Sequence, residues 1–399
     1  MIPRLKPRFG LAEILTAAHV GHDGDIKRFE NEFAHLAEQN RAVTFPYGRT
    51  ALVALLDTMG LKGKDVILPA YTCVVVAHAV IISGNKPVFV DSQEHDFNMD
   101  IEAASAKVNE NTGAIIMTSL FGYPVDLDAL DAFRERFPHV KIIQDCAHSF
   151  LADWRGRGVQ KEGVAAIYGL NISKLMSSIF GGMVTTDDEE LYDALLKWRV
   201  RHLQPSSWSK SLSRMLYLLA TYPAFYGPLY GFVNYLERNG FLDRFVRYYD
   251  ESLIEMPADY LVCMTPLEAR VGIVQTRRYG DIIRHRRDIA AYYNATLAPY
   301  AGKLGILLPP NVEGATYSHF AVQTARKAEL MEKALNHGVQ LGEVIEYCVP
   351  AMSSYAGSLQ PDESFPVAER FSHTVINLPL SCSFAESRHV ASVLLSELN

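Results

Sequence analysis

Short apolar segments alternate with amphipathic ones from about residue 25 to residue 198. Most of the apolar segments contain almost no polar residue, which is typical of strands covered by helices on both faces. The segments between them repeat apolar residues at helical spacing. This alternation predicts strands and helices wound into a mostly parallel sheet. The predicted strands are 66–68, 88–90, 114–117, 141–143, 165–168 and 183–185, and the predicted helices are 50–59, 70–83, 127–136 and 188–198.

A second pattern begins near Met264. Thr265, Pro266 and Glu268 combine a capping box with a proline at the first helical position, which predicts a helix from there to about residue 297. Strands at 320–324 and 375–378 and helices at 326–336 and 386–398 should follow. We therefore expect an α/β protein with two domains. The large three-layer α/β/α domain would span residues 1–255, and a smaller α+β C-terminal domain would span residues 256–399.

An apolar insertion occupies residues 204–250 of the large domain. Its central part, 215–236, has no charged residue over a length that could cross a bilayer. Two prolines and two glycines in this part argue against a single spanning helix. Its many tyrosines suit an interface, either a lid or dimer contact within the protein or a peripheral membrane contact near lipid-linked sugar assembly. The basic residues that flank it are Arg214, Arg238, Arg244 and Arg247.

Composition excludes several classes of protein. Of the 399 residues 49% are hydrophobic and 21% are charged, as in ordinary globular proteins. A net charge of −7 makes a broad basic face for nucleic acid improbable. The five cysteines form no CxxC pair and the 13 histidines form no HExxH motif, so we expect no disulfide framework and no metal site. With no visible secretory signal, a cytoplasmic protein is expected.

Three motifs lie where a predicted strand ends or a helix starts, the place where open α/β sheets bind ligands. The first is Gly48-Arg49-Thr50, a glycine turn that opens a helix. Free backbone N–H groups and the positive end of the helix dipole suit a phosphate group. Many glycine turns merely start helices, so this motif alone leaves both interpretations open.

The other two motifs carry titratable side chains. Asp145 ends a buried strand and His148 follows three residues later. A carboxylate there can bind a protonated ring nitrogen, or it can simply cap the next turn. Lys174 is the only charged residue between 164 and 186. A lysine desolvated in this way becomes a nucleophile and base, whereas an isolated lysine more commonly extends to the surface.

In their order and spacing these motifs resemble the DegT/DnrJ/EryC1/StrS family of nucleotide-sugar aminotransferases. That family depends on pyridoxal phosphate (PLP) and has the aspartate aminotransferase type of fold, PLP fold type I. Lys174 stands seven residues before Gly181-Gly182, as the family's Schiff-base lysine does. Further segments that resemble the family are 25–33, 69–72, 84–91, 121–126, 284–289 and 365–369.

The resemblance implies a role for each matching residue. Lys174 would carry the cofactor and move the proton between substrate and cofactor. Asp145 would pair with the ring nitrogen, Ala147 would pack on one ring face, and His148 would approach the phenolic oxygen. Lys174, Asp145 and His148 are therefore the predicted catalytic residues. The predicted cofactor-binding residues are Gly48, Arg49, Thr50, Tyr71, Cys73, Asp145, Ala147, His148, Asn171 and Lys174.

Three positions depart from the family pattern. Cys73 stands where the family has an aromatic residue that stacks on the cofactor. Gly169 replaces a serine that touches the phosphate, and Leu261 stands where the partner subunit usually supplies an asparagine. The expected replacements are Tyr71 for the stacking contact, and Arg49 and Asn171 for the phosphate contacts.

The resemblance implies a PLP-dependent aminotransferase that acts as a homodimer. It would move an amino group from an amino acid such as glutamate to a keto sugar, carried by a nucleotide, in surface polysaccharide or secondary-metabolite sugar biosynthesis. Two alternatives stay open. In PLP-dependent sugar dehydratases a histidine typically replaces the Schiff-base lysine, so Lys174 argues against that reaction. A non-catalytic or regulatory relative that binds PLP or a sugar nucleotide is compatible with the lost phosphate ligands.

Overall fold

A computed structural model describes residues 1–18, 24–241, 250, 252–355, 357 and 363–396 of the chain. Arg244 and Arg247, two of the basic residues expected to flank the apolar insertion, lie outside these residues. The strands are β1 Arg41–Phe45, β2 Asp65–Pro69, β3 Lys86–Val90, β4 Thr112–Thr118, β5 Lys141–Asp145, β6 Asp153–Trp154, β7 Arg157–Gly158, β8 Ala165–Gly169, β9 Gly182–Thr186, β10 Ile306–Leu307, β11 Phe320–Thr324 and β12 Val375–Leu378.

The described α-helices alternate with the strands in the first half of the chain, as the hydrophobic pattern predicts. They are α1 Leu11–Ala18, α2 Gly24–Leu36, α3 Gly48–Thr58, α4 Val74–Ile82, α5 Ile101–Ala106, α6 Leu127–Arg136, α7 Glu189–His202, α8 Trp208–Ala224, α9 Gly227–Arg238, α10 Pro266–Leu297, α11 Ala301–Leu304, α12 Lys327–Asn336, α13 Pro366–Thr374 and α14 Phe384–Leu395.

The main sheet has seven strands in the order β1-β9-β8-β5-β4-β2-β3. The five strands from β8 to β3 run parallel to one another, whereas β9 is antiparallel to both β1 and β8. Buried apolar residues line both faces of this sheet, in two separate clusters. The predicted α/β fold with a mostly parallel sheet and helices is confirmed. The pattern did not predict β1, because the polar residues Arg41 and Thr44 leave it only a short, interrupted apolar run.

A second, three-stranded antiparallel sheet, β10-β11-β12, lies in the C-terminal part of the chain. The capping box at Thr265 forms as predicted and starts α10. This 32-residue helix packs early on α2, where Gly272 lies against Phe29, and later on the small sheet, where Tyr293 contacts Phe320. Because α10 packs on elements of both parts of the chain, the domain boundary at 255/256 stays a prediction.

The apolar insertion forms two helices, α8 and α9, instead of one long one. Two residues separate α8 from α9. Pro223 lies in the last turn of α8, and Pro228 lies in the first turn of α9. No helix within the described ranges is long and apolar enough to cross a membrane. On its inner side α8 buries Leu218 among apolar residues of α1 and α10. The helix pair is thus anchored to the body of the protein along one side only.

Candidate active site

A cavity of about 1320 Å³ opens at the carboxyl ends of β5 and β8. The last residues of these two strands, Asp145 and Gly169, form part of its wall. The first turn of α3 contributes Gly48, and the residue before α4 contributes Cys73. The C-terminal part of the chain closes another side with His319. Side chains that are far apart in the sequence therefore face one space.

Asp145 occupies the last position of β5, paired across the sheet with Thr118 of β4 and Ile167 of β8. Its carboxylate accepts a hydrogen bond from the backbone N–H of Ala147 at 3.0 Å. Burial raises the pKa of Asp145, whereas the Ala147 N–H and the charge of Lys174 act in the opposite direction. The carboxylate thus faces the cavity with a second oxygen free to receive a cationic donor.

Lys174 lies in the loop between β8 and β9. The Asn171 side-chain oxygen accepts hydrogen bonds from the Ser173 backbone N–H at 3.0 Å and from its hydroxyl at 2.6 Å, which shapes the turn before the lysine. Burial lowers the pKa of Lys174, and the nearby Cys73 thiol and Asp145 partly oppose this. A lysine amine with a lowered pKa is available as a nucleophile and as a base.

Two histidines lie side by side next to this lysine. The ring of His148 stacks on Phe121 at a centroid distance of 6.0 Å and lies 5.2 Å from the ring of His319. Burial and the charge of Lys174 lower the pKa of both imidazoles, that of His319 to about 3. Both rings are therefore neutral near pH 7. Nδ1 of His148 is buried and has no hydrogen-bond partner among the residues that the structure describes, so it can serve a bound molecule.

The start of α3 forms the other end of the cavity. A Cβ atom on Gly48 would lie 3.1 Å from the Cα atom of Gly169, so two glycines allow the helix start and the end of β8 to approach closely. A Cβ atom on Gly182 would lie even closer, 2.4 Å from the backbone of Tyr47. Arg49 lines the cavity, and its Nη1 donates to the backbone oxygen of Glu255 at 3.0 Å.

The structure brings eight of the ten predicted cofactor-binding residues to one cavity wall. They are Gly48, Arg49, Cys73, Asp145, Ala147, His148, Asn171 and Lys174. Thr50 is buried behind this wall and donates its hydroxyl to the backbone oxygen of Tyr260 at 3.1 Å. Tyr71 does not reach the cavity either, because its fully buried ring packs against Phe121 and Phe371. The expectation that Tyr71 stacks on the cofactor finds no support in this geometry.

His319 is a site residue that the sequence motifs did not reveal. It precedes β11, and the segment before it crosses the loop at Phe121 and Gly122. A Cβ atom on Gly122 would lie 2.7 Å from the hydroxyl of Thr316, so the crossing requires glycine there. The only signal in the sequence was a histidine at the start of a predicted strand, and that has no chemical meaning until His148 lies beside it.

The residues present fit PLP. A pyridine nitrogen needs a carboxylate, the aldehyde needs an amine, and the phosphate needs donors at a helix start. Asp145, Lys174 and the first turn of α3 offer these groups in one cavity. The unpartnered Nδ1 of His148 adds a hydrogen-bonding group close to Lys174. These roles for individual residues remain predictions.

Comparison with known proteins gives a consistent result. The model of the DegT/DnrJ/EryC1/StrS aminotransferase family matches residues 10–394. The chain is 26% identical over 379 residues to the GDP-perosamine synthase of Escherichia coli O157:H7, covering 92% of this chain and 88% of the relative. It is 25% identical over 388 residues to the dTDP-4-dehydro-2,3,6-trideoxy-D-glucose 4-aminotransferase of Saccharopolyspora spinosa, with coverage of 96% and 91%.

Among solved structures, an aminotransferase from Psychrobacter cryohalolentis superimposes with a TM-score of 0.79 at 19% sequence identity. The superposition covers 99% of both chains. At this identity the likeness concerns the fold alone, and it extends over both sheets.

Proposed function

The chain belongs to the DegT/DnrJ/EryC1/StrS aminotransferase family and is a PLP-dependent enzyme, and we propose that it transfers an amino group from glutamate to a nucleotide-linked keto sugar. The observation that carries the proposal is the convergence of Asp145, His148 and Lys174 on one cavity wall. Two relatives that match most of the chain are named for GDP-linked and dTDP-linked sugars, which supports the nucleotide-linked substrate.

When bound, PLP supplies an electron sink for the carbon from which a proton is removed. In our proposal, Asp145 keeps the ring nitrogen protonated, because a buried carboxylate is stabilised by a cation that it contacts directly. Lys174 takes up and returns the proton at the reacting carbon, since burial lowers its pKa and makes its amine a better base near neutral pH than an exposed lysine. His148, also neutral, holds the ring by a hydrogen bond without adding charge.

At the opposite end, Arg49 and the backbone N–H groups at the start of α3 would hold the phosphate. A guanidinium–phosphate contact is charge-assisted and stronger than the neutral hydroxyl contact that Gly169 cannot make. Asn171 lines the cavity, but its side-chain oxygen already accepts from Ser173. Its amide nitrogen remains the group that would face the phosphate.

Two further parts of the proposal have other grounds. Family members usually complete the site with a partner subunit, so we propose a homodimer. A cytoplasmic location is proposed because the five cysteines are scattered without any CxxC pair, which suits a reducing compartment. Oligomeric state is measured directly by sedimentation velocity of the PLP-loaded protein.

A half-reaction assay tests the proposed activity. The PLP-loaded protein is mixed with glutamate and its visible absorption is followed, and a panel of GDP-linked and dTDP-linked keto sugars is then added. We expect glutamate to remove the absorption of the aldehyde form and a keto sugar to restore it. A protein that binds PLP and responds to no amino acid would instead be the non-catalytic relative. A response to glutamate without reversal by any sugar would overturn the proposed acceptor and leave the donor standing.

A further inference from the structure

The apolar insertion exposes an unusual amount of hydrophobic surface. Among the described residues, sixteen large hydrophobic side chains are exposed, and eight of them lie between residues 208 and 241. Five of the eight form what we call the α8–α9 face. These five are Leu216, Leu219, Leu229, Phe232 and Tyr235, with exposed fractions of 47% to 63%.

Helical spacing places these residues on one side of each helix. Leu216 and Leu219 are three residues apart on α8, and Leu229, Phe232 and Tyr235 follow the same spacing on α9. The opposite sides of the helices are buried through Leu218 and Tyr230. The α8–α9 face is therefore the outer side of two helices that pack on the protein through their inner sides. Apolar patches of this kind usually mark a binding surface.

The charges beside the α8–α9 face are mainly basic. The N-terminal segment lies along α9, where the Met1 amine donates to the Gly227 backbone oxygen at 3.2 Å and the Lys6 amine lies 5.4 Å above the Tyr226 ring. Arg4 pairs with Glu237, the only acidic residue between 200 and 241, at 2.9 Å. Arg238 follows it at the end of α9. The chain as a whole has more acidic than basic residues, 45 against 38, so the excess of basic residues beside the α8–α9 face is local.

An apolar face with basic residues beside it could bind either a second copy of this chain or a lipid surface, and its charges favour one of the two. A second copy of the chain, bound through the same face, would bring like charges together, which disfavours association. An anionic lipid surface would meet complementary charge. It would also accept aromatic side chains such as Phe232 and Tyr235 at the level of the headgroups. No described helix can span a bilayer, so the contact would lie in the plane of the interface.

We propose that the α8–α9 face docks the protein on anionic phospholipid membranes. Leu216, Leu219, Leu229, Phe232 and Tyr235 enter the interface between headgroups and acyl chains, and Lys6 and Arg238 contact the headgroups. This inference does not depend on the substrate of the enzyme.

Flotation with vesicles tests the proposal. The PLP-loaded full chain is mixed with vesicles of phosphatidylcholine alone or with about one third phosphatidylglycerol. We expect flotation with the anionic vesicles and a clear loss of flotation when salt is raised. The double variant Leu216→Ser/Phe232→Ser should bind the anionic vesicles at least about tenfold more weakly, because it removes two inserting side chains. The variant Lys6→Glu/Arg238→Glu should also bind more weakly.

A matched control uses exposed apolar residues elsewhere. Leu307 and Phe384 are exposed by 58% and 44% and lie in the C-terminal part of the chain. Leu307→Ser/Phe384→Ser should float like the wild type. Visible absorption of bound PLP and the unfolding midpoint show whether each variant is folded.

Two outcomes would overturn the proposal. In the first, the folded wild type stays in the soluble fraction with anionic vesicles, or floats equally well when Leu216 and Phe232 are replaced. In the second, Leu216→Ser/Phe232→Ser changes the sedimentation coefficient in the absence of vesicles while the wild type does not float. That result would assign the face to a second copy of the chain.

Discussion

The active-site cavity has one end where we propose that the ring of PLP binds (the ring end) and one where we propose that its phosphate binds (the phosphate end), and the two are built in different ways. At the ring end, Asp145 and His148 are buried and held by neighbouring strands and rings. At the phosphate end, glycines at positions 48 and 169 leave backbone and one long side chain, Arg49, to face the cavity. Burial shifts the pKa values of the groups at the ring end, and the packing around them fixes their positions. Arg49 provides a permanent positive charge on a long side chain, which can adjust its position to the phosphate.

The comparison indicates which end this chain can vary. The proton chemistry proposed for Lys174 depends on a lowered pKa, and only burial among a few specific neighbours provides that. Phosphate binding requires only cationic or N–H donors within reach, so different residue sets can serve it. A serine can therefore be lost at Gly169 if Arg49 takes over its role. The predictions below test this division, from the largest expected effect to the smallest.

Lys174→Ala tests the ring end most severely. It should abolish transamination and the visible absorption of the PLP-loaded protein, because no other lysine lines the cavity in the described part of the chain. Absorption spectra and half-reactions with glutamate measure both effects. The exposed Lys303→Ala serves as a control and should behave like the wild type. Retention of absorption and turnover in Lys174→Ala would mean that another amine carries the chemistry.

Asp145→Asn keeps the shape of the ring end and removes its charge. We expect turnover to fall by roughly a hundredfold or more, as is typical when a preorganised charge is removed from an active site. PLP affinity should change much less, because the phosphate end is intact. Single-turnover kinetics and equilibrium titration with PLP separate the two quantities. Near-normal turnover would place the ring nitrogen against a different residue.

Arg49→Ala tests the phosphate end. A charge-assisted hydrogen bond contributes about 1.5–3 kcal/mol, so PLP affinity should fall by about tenfold or more. Turnover at saturating PLP should stay close to that of the wild type, in contrast to Asp145→Asn. Arg49→Lys, which keeps the charge, should recover part of the affinity. If PLP binds Arg49→Ala as tightly as the wild type, Arg49 does not contact the phosphate.

His319→Phe tests how much a buried, neutral His319 lowers the free energy of unfolding at acidic pH. The folded protein keeps His319 neutral down to a pKa of about 3, whereas the unfolded chain takes up a proton near pH 6.5. Protons bind more to the unfolded state between these values, so this histidine lowers the stability as pH falls below about 6.5. Its removal should reduce that pH dependence by up to about 1.4 kcal/mol per pH unit.

Urea unfolding of the PLP-free wild type and His319→Phe between pH 7 and pH 5 measures this difference. A surface variant, His139→Phe, provides the comparison, because this histidine is exposed. Equal pH dependence in the wild type and His319→Phe would show that the site histidine is protonated in the folded protein.

Gly169→Ser restores the hydroxyl that the family resemblance leads one to expect. A Cβ atom on Gly169 would lie 3.5 Å from Cε of Lys174 and 3.8 Å from Cβ of Ala147, which are ordinary contacts. The variant should therefore fold and bind PLP a few-fold more tightly, as one neutral hydrogen bond contributes about 0.5–1.5 kcal/mol. The gain should be larger in the Arg49→Ala background. Weaker binding in both backgrounds would show that the phosphate does not lie beside Gly169.

The sequence determined the fold class because the main sheet is buried on both faces, and buried strands appear as apolar runs. It also placed Asp145 at the end of a strand and Lys174 between two strands, since the ends of apolar runs are visible in the sequence itself. The edge strand β1 was missed because Arg41 and Thr44 break its apolar run, although four of its five residues are buried.

Tertiary structure decided which of the candidate residues share the cavity. Tyr71 lies only two residues before Cys73, yet the turn between them directs the tyrosine into the core and the cysteine into the cavity. His319 reaches His148 because Gly122 lets a segment almost two hundred residues later in the chain pass close by. Such side-chain directions and close approaches depend on packing between distant segments, and no local pattern of residues encodes them.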